Sequence, residues 1–284
     1  MKLIESSVQI IKEKDPYKMI ELAGRTCYKS EDKITEDSAK EFVDRMIKLG
    51  HGAMLEHGTI YLACLVFDGD VDNNNNLTPN HRFYKYQSNK YSKVKVAQYA
   101  WSGEDVACVT TNLRVLVENN WLDDLKTYRC EPTRYHEKRI TAKFICDRGV
   151  SHEFVRHRVF SFAQESTRYC NYSKDKFNNE IAFIIPSWAE VNKFGEIVAD
   201  DNECFYHFKR SLEFAESNYF TLLNNGWKPQ QARQVLPNAT KTELVMTGFE
   251  SDWEHFLSLR TSKNAHPDAQ QLSLKLRELL YDEK

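Results

Sequence analysis

Between Arg156 and Arg168 the chain reads Arg-His-Arg-Val-Phe-Ser-Phe-Ala-Gln-Glu-Ser-Thr-Arg. Three arginines and a histidine, followed closely by Gln164 and Ser166, concentrate hydrogen-bond donors in a stretch that also carries Val159, Phe160, Phe162 and Ala163. A purely solvated basic face needs no such apolar lining. Guanidinium forks grip phosphate or carboxylate bidentately and stack on flat rings, so the mixture suits a ligand with both an anion and an aromatic system, such as a phosphorylated nucleotide. Arg-His-Arg alone is also a common run on helix surfaces that bind nothing. The longer spacing, Arg-His-Arg, seven residues, then Ser-x-Arg, is more restrictive.

Four other places carry groups capable of chemistry. His51-Gly-Ala-Met-Leu-Glu-His57 lies between a helix end and a strand, where the imidazoles could hydrogen-bond the turn. His152-Glu153-Phe-Val-Arg156-His157 invites comparison with the His-Glu-x-x-His zinc motif. On a helix, however, His152 and His157 sit about 140° apart, and Arg156 occupies the second ligand position. Arg233 precedes an apolar turn closed by Pro237, as a salt-bridge partner or an anion ligand. His255 and Arg260 follow Ser251, which pairs with Glu254 as a capping box. Ser166 has no partnered base beside it, so a phosphate ligand is a simpler role than a nucleophile.

Taken together, these stretches resemble the flavin-dependent thymidylate synthases. The resemblance rests on Arg-His-Arg…Ser-x-Arg, on Gly50-His51…Glu56-His57, on Ala232-Arg233-Gln-Val-Leu-Pro237, and on the block ending at Arg260, all in the family's order. It implies an α+β fold, a mixed helix and sheet domain assembled as a homotetramer whose active sites draw on several subunits. The implied reaction converts dUMP to thymidylate with 5,10-methylenetetrahydrofolate and NADPH, through FAD. Carried over, Arg156, His157, Arg158, Gln164, His51 and His255 bind the flavin. Arg156, Gln164, Glu165, Ser166, Thr167, Arg168, Arg233 and Arg260 bind the nucleotide, with Arg260 against the uracil ring as the residue closest to chemistry. The chain departs from the pattern at Ala53, usually Ser or Thr; at Glu153, usually Gln; and at Phe249-Glu-Ser251, often Asn-x-Arg.

The elements that must position these groups are partly readable. Residues 2 to 11 suggest a first strand, and Asp15-Pro16 opens a helix to about Cys27. A second helix starts near Thr35, with Ala39, Phe42, Val43, Met46 and Ile47 on one face, and stops at Gly50. A strand spans Thr59 to Phe67. Residues 68 to 142 read as an insertion in a single domain: a polar loop from Asp68, a strand from Lys93 to Tyr99, a helix from Thr111 to Asn119, and a solvated surface of Tyr84, Lys85, Tyr86, Lys90, Tyr91 and Lys93. Single-stranded nucleic acid is a weaker reading of that surface. Ile140 to Cys146 predicts a buried strand, Ser151 a helix cap, Ile181 to Ile185 an apolar strand ended by Pro186, Asn202 to Asn224 a helix, and His266-Pro the start of a terminal helix with Leu272, Leu276 and Leu279.

With 39 Lys+Arg against 41 Asp+Glu, the formal net charge of −2 argues against a non-specific polyanion binder. The seven cysteines are odd in number and lack a Cys-x-x-Cys pair, which fits reduced thiols in a cytoplasm and indicates neither a disulfide framework nor a zinc site. No run approaches the roughly 18 apolar residues of a membrane span. Two other classes have distinct marks. A nucleic-acid module would bind with steep salt dependence and no chromophore, and a metal-dependent hydrolase would carry stoichiometric zinc.

Overall fold

The computed structural model describes residues 1–99, 103–189 and 203–281. Where residues 2 to 11 predicted one strand there are two, β1 (Lys2–Ile4) and β2 (Ser7–Ile11), which enter different sheets. Helix α1 (Pro16–Tyr28) starts as its sequence prescribes: the Asp15 carboxylate accepts from the N–H groups of Tyr17 and Lys18, and Pro16 opens the first turn. Helix α2 (Ser38–Lys48) begins later than Thr35, because the Ser38 hydroxyl accepts from the Thr35 N–H at 2.9 Å and holds residues 35–37 in a turn. It buries Ala39, Phe42, Val43 and Met46, and after Gly50 (φ 68°) a single turn, α3 (Gly52–Leu55), leads into β3 (Thr59–Leu65).

The expected insertion holds α4 (Tyr84–Gln87), β4 (Lys93–Gln98), β5 (Asp105–Asn112), α5 (Leu113–Glu118) and α6 (Leu122–Tyr128). Thr111 and Asn112 belong to β5 and not to a helix; Asn112 ends the strand and caps α5 by accepting from the Val115 N–H. β5 is the middle strand of an antiparallel β3-β5-β4 sheet and pairs with β3 from Thr59↔Asn112 to Leu65↔Val106. Phe83, Tyr86, Val109 and Leu113 therefore share one core with Ile20, Phe42, Met46 and Leu62. Tyr86, expected on a solvated surface, is fully buried: its hydroxyl donates to Asp124 and its ring packs edge-on against Phe83 and Trp121. Tyr84 and Tyr91 are exposed.

The rest of the chain supplies β6 (Arg139–Asp147), α7 (Arg148–Phe154), β7 (Ser161–Gln164), β8 (Ala182–Ile184), α8 (Glu203–Asn224), α9 (Pro229–Ala232), β9 (Lys241–Phe249), α10 (Glu250–Arg260) and α11 (Pro267–Tyr281). Asn202, the expected first residue of α8, lies outside the described residues; of the apolar stripe Phe205, Phe208, Leu212, Ala215, Tyr219 and Leu222 that the spacing places in the core, Leu212, Ala215 and Tyr219 are buried and Phe205, Phe208 and Leu222 half-buried. β2, β6, β9 and β7 form an antiparallel sheet in that order, and β1 pairs with β8 in parallel. Phe144, Phe154, Phe160, Met246, Trp253, Phe256 and Leu272 fill a second core between this sheet and helices α7, α10 and α11. The fold is α+β, as expected.

Two caps differ from expectation. Asp147, not Ser151, caps α7 by accepting from the Val150 N–H, and Ser151 lies inside the helix with its hydroxyl donating to the Arg148 carbonyl. α7 ends at Phe154, so Arg156 and His157 stand in the following turn and the helical-angle comparison with His152 has no helix to act on. α10 starts one residue before Ser251; the Phe249 N–H donates to Asp252, while Ser251 reaches Glu137 instead of closing a box with Glu254. Among the described residues there is no three-ligand His/Cys/Asp/Glu cluster, and no helix is long and apolar enough to cross a membrane.

Candidate functional site

The Arg-His-Arg end of the signature meets the end of α10. Arg260, the last residue of that helix, donates from Nε to His157 Nε2 at 2.9 Å, from Nη1 to Glu153 Oε2 at 2.5 Å, and from Nη2 to the Glu153 carbonyl at 2.8 Å. That carbonyl belongs to the last turn of α7, where helical carbonyls lack intrahelical partners. To accept from a guanidinium, the His157 ring must be neutral with its proton on Nδ1. Burial pushes the His157 pKa down to about 4, helped by Arg260 and His255 nearby, so the neutral form prevails at neutral pH. Its ring packs edge-on against Phe256, 4.9 Å between centroids. Arg156, Arg158 and His255 are exposed around this cluster, and Val159 is 60% exposed.

From Phe160 the chain runs out along β7, the edge strand beside β9. Gln164 faces inward, its amide nitrogen donating to the hydroxyls of Ser151 and Thr242, so the side chain is fixed by the protein. Glu165 is only 2% exposed and binds Lys241 and the Tyr172 hydroxyl. Its carboxylate is one corner of a buried ion network: Lys241 also pairs with Glu243, Glu243 with Lys143 and Lys29, and Lys29 with Glu31. Burial alone would push the Glu243 carboxyl up, but Lys241, Lys143 and Lys29 hold it down at about 2.

The Ser-x-Arg end follows at once. The Ser166 N–H donates to the Cys27 carbonyl at the end of α1, which ties the loop to that helix. Ser166 Oγ accepts from the Arg168 N–H at 3.3 Å, and no base stands beside it among the described residues. Thr167 is buried and its hydroxyl accepts from Arg233 Nη1 at 3.3 Å, so Arg233, from the turn after α9, converges on the loop that carries Arg168. Arg168 is exposed, lies over the Tyr169 ring and reaches Gln230 at 3.4 Å. Neither guanidinium meets a carboxylate among the described residues, an arrangement suited to a bound anion. Cys170, next to this loop, is buried, and burial together with Glu165 raises its thiol to about 12, which makes it a poor nucleophile.

His51 stands apart from both ends. It is exposed in a cleft of about 540 Å³ with Arg25, Tyr28, Phe42, Arg45 and Lys176. Tyr28 stacks obliquely on Tyr169 with 5.2 Å between ring centroids, which joins the cleft to the Arg168 loop. His57, the other histidine of that motif, is structural: fully buried, it bonds Thr247 through Nδ1, and burial with Arg139 nearby lowers its pKa to about 3.

Within one chain, then, Arg260 and His157 come together, Arg168 and Arg233 come together, and His51 lies on the Arg168 side. The two ends of the signature are separated by the four residues of β7, roughly 13 Å of extended chain. The sequence reading passed over the ion network of Lys241, Glu243 and Lys29. A signal existed in Lys241-Thr-Glu243, an alternation of charges in a strand that is otherwise buried.

The model of the family described as thymidylate synthase complementing protein matches residues 9–131 and 135–283. A flavin-dependent thymidylate synthase of Pyrococcus furiosus is 31% identical over 133 residues, 47% of this chain and 50% of that protein. One from Mycolicibacterium gilvum is 32% identical over 143 residues, 45% of this chain and 51% of that protein. The chain thus spans about half the length of the curated relatives it matches. Among solved structures, the UMP/dUMP methylase PolB from Streptomyces cacaoi aligns over 99% of this chain and 93% of its own, with a TM-score of 0.46 and 17% identity. Because the family match runs almost from end to end and takes in the Arg-His-Arg and Ser-x-Arg loops, Arg233 and Arg260, the chain belongs to the thymidylate synthase complementing protein family.

Proposed function

We propose that the chain is a flavin-dependent thymidylate synthase, converting dUMP to thymidylate with 5,10-methylenetetrahydrofolate as one-carbon donor and NADPH as reductant through FAD. The observation that carries this reading is the family match across both halves of the chain. The convergence of Arg168 and Arg233 on one loop without carboxylate partners among the described residues supports it.

The donor set suits a dinucleotide cofactor. Arg156 and Arg158 are exposed beside Val159 and offer cations and an apolar surface together. FAD would be held by Arg156, His157 and Arg158, with Gln164, His51 and His255. When bound, flavin and folate carry the hydride and methylene chemistry. The chain binds and orients the nucleotide: Ser166, Arg168 and Arg233 take the phosphate, Thr167 steadies Arg233, and Arg156 extends the nucleotide-binding surface, while Gln164, tied to Ser151 and Thr242, and the buried Glu165, tied to Lys241, support it from beneath. Arg260 lies against the uracil ring, whose C5 becomes electron-rich when the N3 proton leaves and charge spreads over N3, O2 and O4. A permanently charged guanidinium favours that charge as it forms.

Within one chain Arg260 and Arg168 stand at opposite ends of β7, and in the homotetramer the family resemblance implies each site would draw the two arginines from different copies. Mixing separately purified Arg168→Ala and Arg260→Ala chains through a dissociation and reassembly step tests this. Random mixing should restore about a quarter of the sites. No recovery in verified mixed oligomers would place both arginines in one chain's site. The broader reading falls if the purified protein is colourless, takes up no FAD and oxidises no NADPH in its presence.

A further inference from the structure

Of the five N–H groups of the Arg260 guanidinium, three are engaged within the chain: Nε–H by His157, one on Nη1 by the Glu153 carboxylate, and one on Nη2 by the Glu153 carbonyl. Among the described residues the remaining two, one on each terminal nitrogen, have no protein acceptor. All three acceptors come from the short segment 153–157, so translation and rotation of the guanidinium plane are fixed together. The pair is largely out of water, with the Arg260 side chain 17% and the Glu153 side chain 28% exposed, so its field is less screened than that of a surface ion pair.

We propose that Glu153 is the positioning residue of Arg260: it clamps the guanidinium so that two N–H groups remain for a planar ligand, and its negative charge limits how readily that ligand ionises. The inference rests on the reading that Arg260 meets the uracil ring. The fixed plane supplies donors for the ring's oxygens. The carboxylate, 2.5 Å from Nη1 on the side away from the ligand, offsets part of the positive charge the ring would otherwise meet. A nearby opposite charge stabilises the ionised form of an acid, and compensating that charge weakens the effect. Glu153 thereby keeps a bound imide protonated over a wider pH range than an unpaired arginine would. The ionisable groups facing the guanidinium are Glu153 from α7 and His157 from the next turn, and His255 of α10 acts on His157. A purely structural ion pair at the helix end would alter stability and leave the ligand's proton untouched.

Fluorine NMR of bound 5-fluorodeoxyuridylate, titrated with pH on the full chain loaded with FAD, reads imide ionisation directly. In Glu153→Gln the amide oxygen can still accept from Nη1 while the compensating charge is gone. The ionisation midpoint should fall by about 0.5 to 1 pH unit, with affinity kept within about threefold. Glu153→Ala removes the side-chain acceptor and should weaken binding about tenfold. Glu153→Asp keeps the charge but withdraws it by one methylene, and should lower affinity about threefold with the midpoint unchanged; it carries the test if the other variants fail to fold. A midpoint identical in wild type and Glu153→Gln, while Arg260→Ala raises it, overturns the proposal and spares the role of Arg260. Equal affinity of wild type and Glu153→Asp also overturns it. Unchanged binding and midpoint in Arg260→Ala overturn both.

Discussion

Replacing Glu243 with Gln perturbs the most densely charged part of the interior without changing its shape. The carboxylate is 6% exposed as a residue and pairs with Lys241 at 2.5 Å, Lys143 at 2.6 Å and Lys29 at 2.9 Å. Its carboxyl is held near 2, against an ordinary 4.5. A gap of that size corresponds to about 3 kcal/mol of folding free energy. The folded pKa is the depressed one, so this contribution is complete above the unfolded value and is lost as pH falls from about 4.5 towards 2. Removing one partner from a buried ion network costs a similar amount, because the remaining charges stay buried and lose their compensation. In Glu243→Gln, Lys29 keeps Glu31 and Lys241 keeps Glu165, while Lys143 is left with Glu31 at 3.8 Å.

Urea unfolding of wild type and Glu243→Gln at pH 7 and pH 3.5 measures both the size and the sign. The expected difference is about 3 kcal/mol at pH 7, shrinking to about 2 at pH 3.5. A difference below about 1 kcal/mol at pH 7, or one that does not shrink on acidification, refutes the assignment of Glu243 as an ionised hub. The network also carries Glu165, the residue before Ser166. The variant should therefore bind dUMP more weakly even at temperatures where it is fully folded.

Arg168→Ala should weaken dUMP binding by roughly 2 to 5 kcal/mol with little change in flavin content, measured by calorimetry and absorbance; loss of flavin with normal nucleotide binding would reverse the assignment of the two ends. Arg260→Ala should fold and keep FAD but lose thymidylate formation on the order of 100-fold, and product analysis with near-normal turnover would reduce Arg260 to a helix-end cation. In native protein at pH 8, Cys204, exposed on α8, should be alkylated well before Cys170, whose thiol is raised to about 12; peptide mass spectrometry showing Cys170 modified first contradicts its burial. Gly248→Ala should cost about 1 to 3 kcal/mol in thermal or urea unfolding, because an added Cβ would lie 2.5 Å from the Phe160 ring.

Elements were legible where a local signal and the tertiary outcome agree. Asp15-Pro16 caps α1 because the cap chemistry lies within three residues, and Trp253, Phe256 and Leu257 turn inward because their spacing is helical. β9 was missed although it is a central strand. Its sequence, Lys-Thr-Glu-Leu-Val-Met-Thr-Gly-Phe, mixes charge and hydroxyls into what should read as an apolar run. Those polar groups depend on partners far away in sequence: Glu243 on Lys29 and Lys143 besides its strand neighbour Lys241, and Thr247 on His57 and Thr141. β5 was obscured similarly: Thr110, Thr111 and Asn112 are fully or nearly buried, all three paired with β3 and Thr110 also with β4, yet threonine and asparagine just before Leu113 look like a helix start.

The candidate site shows the limit in its sharpest form. A motif is a linear order, and whether its two ends serve one ligand depends on the conformation between them. Seven intervening residues would cover about 10 Å as a helix and more than 20 Å fully extended. Here Ser161–Gln164 is extended because Phe162 and Ala163 pair with Met246 and Val245, residues some eighty positions away that the motif does not contain. Arg156 to Arg168 therefore identifies the groups that bind, while β9 decides that Arg260 and His157 gather at one end of the strand and Arg168 and Arg233 at the other. It follows that substitutions on β9 facing β7 should disturb the relation between the two ends without touching any ligand-binding side chain, a coupling that composition and spacing alone do not contain.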